Sequence, residues 1–141
     1  MATADHHTYR YAPHPLHAIL LVSPVPLFLG ALLSDWAYSS SYQIQWNNFS
    51  SWLIAGALVF TGLAILCGLI SLLRVGRRRA AVISLLLLVV TWILGFINAL
   101  IHAKDAWASM PSGLVLSVVV FVLICVATWF GLMRERVGGG V

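Results

Sequence analysis

Charge is what this chain of 141 residues most lacks: Asp, Glu, Lys and Arg together make up 9% of it, and only four of these are acidic. A soluble domain of this length has to cover its core with a charged surface, and no segment here could supply one. Cysteine is almost as scarce. Cys67 and Cys125 both lie inside apolar runs, which excludes a disulfide framework and leaves each as a small apolar side chain. No Cys-x-x-Cys pair, phosphate loop or serine–histidine arrangement with a third orienting group occurs, so enzymatic chemistry is not expected. The opening MATADHHTYRYAPHPL is polar and broken by proline, without a cleavable targeting segment, so the first apolar run acts as its own insertion signal. The net charge of +4 is no nucleic-acid signal either, because the basic residues sit beside apolar runs and not on one solvated face.

What the chain does have is apolar length. Hydrophobic residues make up 61% and mean hydropathy is +0.97. A window of roughly twenty residues, as a hydrocarbon core of about 30 Å requires, marks four runs. They are 17–34, 51–73, 80–101 and 112–133. In lipid each can satisfy its backbone only as a helix. The expected fold is therefore all-α: a polytopic membrane protein whose single domain, 1–141, is an up-down bundle of four transmembrane helices. A polar segment 1–13 opens it and a flexible tail 135–141 closes it. Arg10, Arg74, Arg77, Arg78, Arg79, Arg134 and Arg136 fall on one side of these runs and Lys104 alone on the other. The positive-inside rule then puts both termini in the cytoplasm, with the 35–50 and 102–111 loops opposite. Trp36, Tyr38, Tyr42, Trp46, Trp52 and Trp107 gather toward that opposite side, as interfacial anchors should.

Patterning inside the runs concerns packing. Ala57, Thr61, Ala64, Gly68 and Ser71 recur at four- and three-residue steps and form a small-residue stripe on the second helix. On the third, Ser84, Thr91, Gly95, Asn98 and His102 form a polar stripe; Asn98 and His102 are costly toward lipid and should face the bundle or a partner. The fourth offers Gly113 and Ser117 near its start and Thr128 and Gly131 near its end. In the first, Pro24 and Pro26 should kink or locally unwind the helix.

Two groups of polar residues could act as ligands or hydrogen-bond hubs. His14 and His17 share a face near the cytoplasmic boundary, where they are interfacial histidines or ligands to a metal or haem. At the far end stand Asp35, Asn98, His102, Lys104 and Asp105. Asp35, His102 and Asp105 could hold a metal ion, or His102 could be a hydrogen-bond hub against Asp35 or a partner. A b-type haem bridged by His17 and His102 is excluded by their separation, which is most of a helix rise of roughly 25 Å.

The His-Pro-Leu-His at 14–17, the Asp-Trp-Ala-Tyr at 35–38 and the segment 98–117, with His102, Asp105, Trp107, Pro111, Gly113 and Ser117, carry a resemblance. Over 13–134 the chain resembles the bacterial four-helix membrane family catalogued as domain of unknown function twenty-two thirty-one. Some members of that family are fused to, or encoded beside, quinoprotein sugar dehydrogenases, which implies a redox neighbourhood. The chain departs from the pattern in having Ser71 where many relatives carry an acidic residue, and in opening its third helix without a histidine. Localisation in the bacterial inner membrane as a multi-pass protein follows. The expected function is a non-catalytic accessory or scaffold subunit of a larger complex that is respiratory, photosynthetic or dehydrogenase-associated. The alternative is an electron-transfer subunit that holds b-type haem or handles quinone. Expected partners are membrane lipids and other integral membrane subunits, with bound lipid or quinone; a transporter or channel is disfavoured by the lack of mid-membrane charge.

Overall fold

The computed structural model describes residues 15–75, 79–104 and 106–137. His14, Asp105, Arg10, Arg77, Arg78, the segment 1–13 and residues 138–141 of the expected tail lie outside the described residues. Five α-helices follow one another: α1 Pro15–Val22, α2 Pro24–Ser41, α3 Ile44–Val75, α4 Arg79–His102 and α5 Ser112–Val137. A single turn of 3-10 helix, Ala106–Ala108, lies between α4 and α5. Among the described residues there is no strand. Four stretches are long and apolar enough to cross a membrane: Pro15–Ser41, Ile44–Arg74, Arg79–His102 and Ser112–Met133.

The interruption expected at the prolines falls at Ser23, between α1 and α2. Ser23 keeps helical angles, and its N–H still reaches the carbonyl of Ile19 at 2.9 Å. Pro24 and Pro26 have no N–H to donate to the preceding turn, so the ladder breaks there while the chain stays in one span.

The helix ends differ from the apolar runs. Asp35 does not end the first span: α2 carries on to Ser41, and α3 begins at Ile44, so most of the expected 35–50 loop is helical. Hydropathy marks the stretch that needs lipid, not the stretch that can be helical, and α3 at 32 residues is longer than a bilayer core demands. Ser39, Ser40 and Ser41 close α2 by bonding back to the carbonyls of Trp36 and Ala37. Tyr42, left-handed at φ 53°, then turns the chain, its N–H 2.7 Å from the carbonyl of Tyr38. At the other end α5 runs to Val137, through the start of the expected tail.

The helices bury stripes at alternating three- and four-residue steps, the spacing of a left-handed bundle seam. On α2 the stripe is Pro24, Phe28, Ala31, Asp35 and Tyr38; on α4 it is Ser84, Leu88, Thr91, Gly95, Asn98 and His102. On α3 it is Asn47, Ser50, Ile54, Ala57, Thr61, Ala64 and Gly68, and on α5 Gly113, Ser117, Val120, Ile124, Ala127 and Gly131. The spacing brings small and polar side chains to the axis among a few large apolar ones such as Phe28, Ile54 and Ile124, and leaves most of the Leu, Ile, Val and Trp side chains facing outward. α2 packs on α3 and α5, α3 on α4, and α4 on α5. Hydrogen bonds to backbone carbonyls tie them: Ser84 Oγ donates to Ala127 at 2.9 Å, Thr128 Oγ1 to Leu21 at 3.1 Å and Trp92 Nε1 to Leu58 at 3.1 Å.

Candidate functional site

The most polar level of the interior lies where the stripes reach the Tyr42 turn. There α2 supplies Asp35, α3 Ser50, α4 Asn98 and His102, and α5 Ser117, each no more than 5% exposed. An ionised group this dry is tolerated only if every polar neighbour is turned toward it. The carboxylate of Asp35 meets that demand at both oxygens. His102 Nε2 lies 2.8 Å from Oδ1, and the hydroxyl of Ser117 donates to Oδ2. Ser117 Oγ in turn accepts a hydrogen from Asn98 Nδ2 at 2.8 Å. His102 Nδ1 donates to the carbonyl of Asn98, one turn back on its own helix, at 2.9 Å. Ser50 Oγ donates to the carbonyl of Ala31 at 3.3 Å and stands 3.3 Å from His102 Nε2. Asn98 Oδ1 is buried and has no hydrogen-bond partner.

Glycine makes room for the ring. A Cβ on Gly113 would sit 2.9 Å from His102 Cε1, closer than two carbons approach, so α5 can seat against the imidazole only without a side chain there.

Toward the chain turns the site is covered, not open. Asn47 and Ser109 are buried and bonded to each other at 3.3 Å, joining α3 to the α4–α5 connection. Outside them Tyr42 stacks on Trp107 with ring centroids 5.3 Å apart, and meets Tyr38 edge-on at 5.8 Å. Toward the bundle middle the stripes turn apolar within a turn or two: Phe28, Ile54, Val120 and Ile124 are all at most 1% exposed.

Of the residues singled out from the sequence, Asp35, Asn98, His102 and Ser117 come together here, with Gly113 against them. Ala57, Thr61, Ala64, Gly68 and Gly95 are buried along the bundle below, while Ser71 is half-buried. Thr61 and Thr91 bond back to carbonyls of their own helices. His17 is half-buried on α1, one turn before Leu21, whose carbonyl is bonded by Thr128 near the opposite end of the bundle, so it does not join His102. His14 and Asp105 lie outside the described residues, and Lys104 is exposed. Tyr38, read as an interfacial anchor, is instead 2% exposed: it sits on the buried stripe of α2, one turn beyond Asp35. Trp36, Trp52 and Trp107 are outward-facing, at 66%, 78% and 76%.

Ser50, Asn47 and Ser109 escaped the sequence reading. The signal for two of them was present: running the small stripe of α3 backward from Ala57 by the same steps reaches Ile54, Ser50 and Asn47. Ser109, in an irregular connection, carries no periodicity that could mark it.

Chemically the arrangement is a closed hydrogen-bond network with one acid and one imidazole. Both nitrogens of His102 are already engaged, and no group of three or more His, Cys, Asp or Glu placed to hold a metal occurs among the described residues.

No curated protein and no solved structure matches the chain. A family model does, over residues 13–138, which takes in all five helices and none of the residues before Pro13. The chain belongs to the family described as predicted membrane protein (DUF2231).

Proposed function

We propose that this chain is a non-catalytic accessory or scaffold subunit of a larger complex in the bacterial inner membrane, with its four spans running up and down and both termini cytoplasmic. One observation carries the reading. Asp35, Asn98, His102 and Ser117 are turned inward and bonded to one another, while the outer faces present apolar side chains such as Leu33, Leu63, Leu73, Leu86 and Trp129. A polar interior used for self-assembly beside an apolar exterior suits a protein whose business is to pack among lipids and other membrane helices. The alternation of direction is supported by the contacts at the two ends. Leu21, Ser84 and Ala127 to Thr128 meet at one end, and Asp35, Ser50, His102 and Ser117 at the other.

The test is extraction in native lipid discs, followed by mass spectrometry of whatever co-elutes with the tagged full-length chain. An integral membrane protein recovered in fixed stoichiometry is expected. Elution of the chain alone, as a monomer with lipid only, would overturn the subunit reading. A visible haem spectrum in the same material would move the assignment to the electron-transfer alternative.

A further inference from the structure

The atoms that face one another around His102 constrain how many protons the site holds. Nδ1 is 2.9 Å from the Asn98 carbonyl, which can only accept, so Nδ1 carries a hydrogen. Nε2 is 2.8 Å from Asp35 Oδ1, and that contact needs a hydrogen of its own. Without one, the lone pair of the nitrogen would be set against a carboxylate oxygen in a dry interior, which is repulsive. Among the described residues no neighbour can turn round to supply it. The hydroxyl hydrogen of Ser117 is committed to Oδ2, the amide of Asn98 to Ser117, and the hydroxyl of Ser50 to Ala31.

We propose that Asp35 and His102 form a proton-binding site, holding one exchangeable proton between Oδ1 and Nε2 and exchanging it with the membrane face at which the Tyr42 turn lies. With the proton on nitrogen the pair is imidazolium and carboxylate; with it on oxygen the pair is imidazole and carboxylic acid. Either way the pair is neutral overall, which is what a lipid-embedded bundle tolerates. Release passes H⁺ to water and leaves one uncompensated negative charge on the pair; no electrons move.

The direction of exchange follows from what flanks the pair. On the turn side Ser50, Asn47 and Ser109 continue the polar groups outward, and Asn98 Oδ1 adds a buried acceptor without a partner at the level of the pair. On the other side Phe28, Ile54, Val120 and Ile124 offer no acceptor, and the buried hydroxyls of Thr61 and Thr91 beyond are bonded to carbonyls of their own helices, so among the described residues no continuous line of polar side chains leads across the bundle from the pair. Among the described residues few other acids or bases approach. α2 brings Tyr38 one turn from Asp35; α3 and α5 bring only the hydroxyls of Ser50 and Ser117 and the amide of Asn47; Lys104 is exposed beyond α4.

The chain has five histidines, so His6, His7, His14 and His17 can all be changed to Gln to leave His102 as the single imidazole of the full-length protein. Its ring nitrogens are then read by ¹⁵N resonance in lipid nanodiscs at about pH 7.5, where a free histidine has largely lost its second proton. The expected result is hydrogen on both nitrogens. A hydrogen on Nδ1 alone, with a carboxylic-acid infrared band that disappears in Asp35→Asn, places the same proton on oxygen and equally supports the site. A bare Nε2 beside an ionised Asp35 overturns it. Wild type compared with His102→Gln gives the same reading by difference, should the fourfold variant not accumulate. Ser50→Ala should slow exchange of this proton with solvent, and Thr91→Val, on the far side, should not; the reverse order would overturn the assigned direction.

Discussion

Asp35 and His102 are 67 residues apart along the chain and 2.8 Å apart in space. Because the other oxygen of the same carboxylate takes the hydroxyl of Ser117, one side chain of α2 binds α4 and α5 together. Burial makes that junction sensitive in a way its size does not suggest: removing one member strands the others in a medium that cannot hydrate them.

The two partners should therefore be strongly non-additive. His102→Leu is expected to cost about 3 kcal/mol, because it leaves Asp35 without its opposite number. His102→Gln, which keeps one donor, should cost about 1 kcal/mol. The double variant Asp35→Leu with His102→Leu should be more stable than His102→Leu alone, since no orphaned acid remains. Unfolding midpoints in mixed micelles measure these three and Asp35→Leu alone, and a double variant whose effect is the simple sum of the two Leu singles would show that the two residues act independently.

The glycines should rank by what their missing side chains would strike. Gly113→Ala would press on the imidazole of His102, and Gly131→Ala on Leu21 and Ser84 Oγ. Both should lower stability, by roughly 1–3 kcal/mol as overpacking does, Gly113→Ala the more because two hydrogen bonds hold the imidazole in place. Gly62→Ala meets only the Trp92 ring, at an ordinary 3.5 Å from Nε1, and should be neutral or slightly stabilising in its helix. Thermal melting of the three proteins checks the order.

Gly68 and Leu69 are neighbours with opposite surroundings. Gly68 is buried, with Leu85 Cδ1 3.3 Å from where its Cβ would be, whereas Leu69 is 43% exposed. Gly68→Leu should push α3 off α4 and reduce the folded yield several-fold, on the scale of about 1–3 kcal/mol. Leu69→Ala should leave the yield close to wild type. Equal yields on size-exclusion chromatography would mean that α3 and α4 do not meet along this stripe in the membrane.

The orientation is tested by reporter fusion. Alkaline phosphatase joined after Tyr42 should be active and joined after Arg78 inactive, following the placement of seven arginines against one lysine. The reverse pattern would put the Asp35 level on the cytoplasmic side.

Much of this was written in hydropathy and spacing. Four spans follow from run length, and the inward stripes of α3 and α4 follow from a repeat that keeps small and polar residues on one line. The depth of Asp35 was harder to read, because a carboxylate in an apolar run looks like a terminus until its partners are known. Of those partners His102 could be named from the sequence, but Ser117 is distant in the chain and nothing local to Asp35 announces it. Tyr38 misled for a related reason: aromatic residues near a membrane boundary look alike whether they point out, as Trp36 does, or in. Ser109 was invisible because its partner Asn47 is reached through an irregular connection.

The long separation of Asp35 from His102 has a consequence for how the protein is made. Synthesis delivers α2 to the membrane well before α4 exists, so the acid must wait there without its imidazole. An unpaired Asp within a span opposes insertion by up to about 3 kcal/mol at the helix centre and less toward its end. The first hairpin is thus only provisionally seated until α4 and α5 arrive, and the arrival of His102 and Ser117 is what commits it. A ribosome stalled between α3 and α4 would hold a chain still able to slip, and quality-control proteases would meet it in that form.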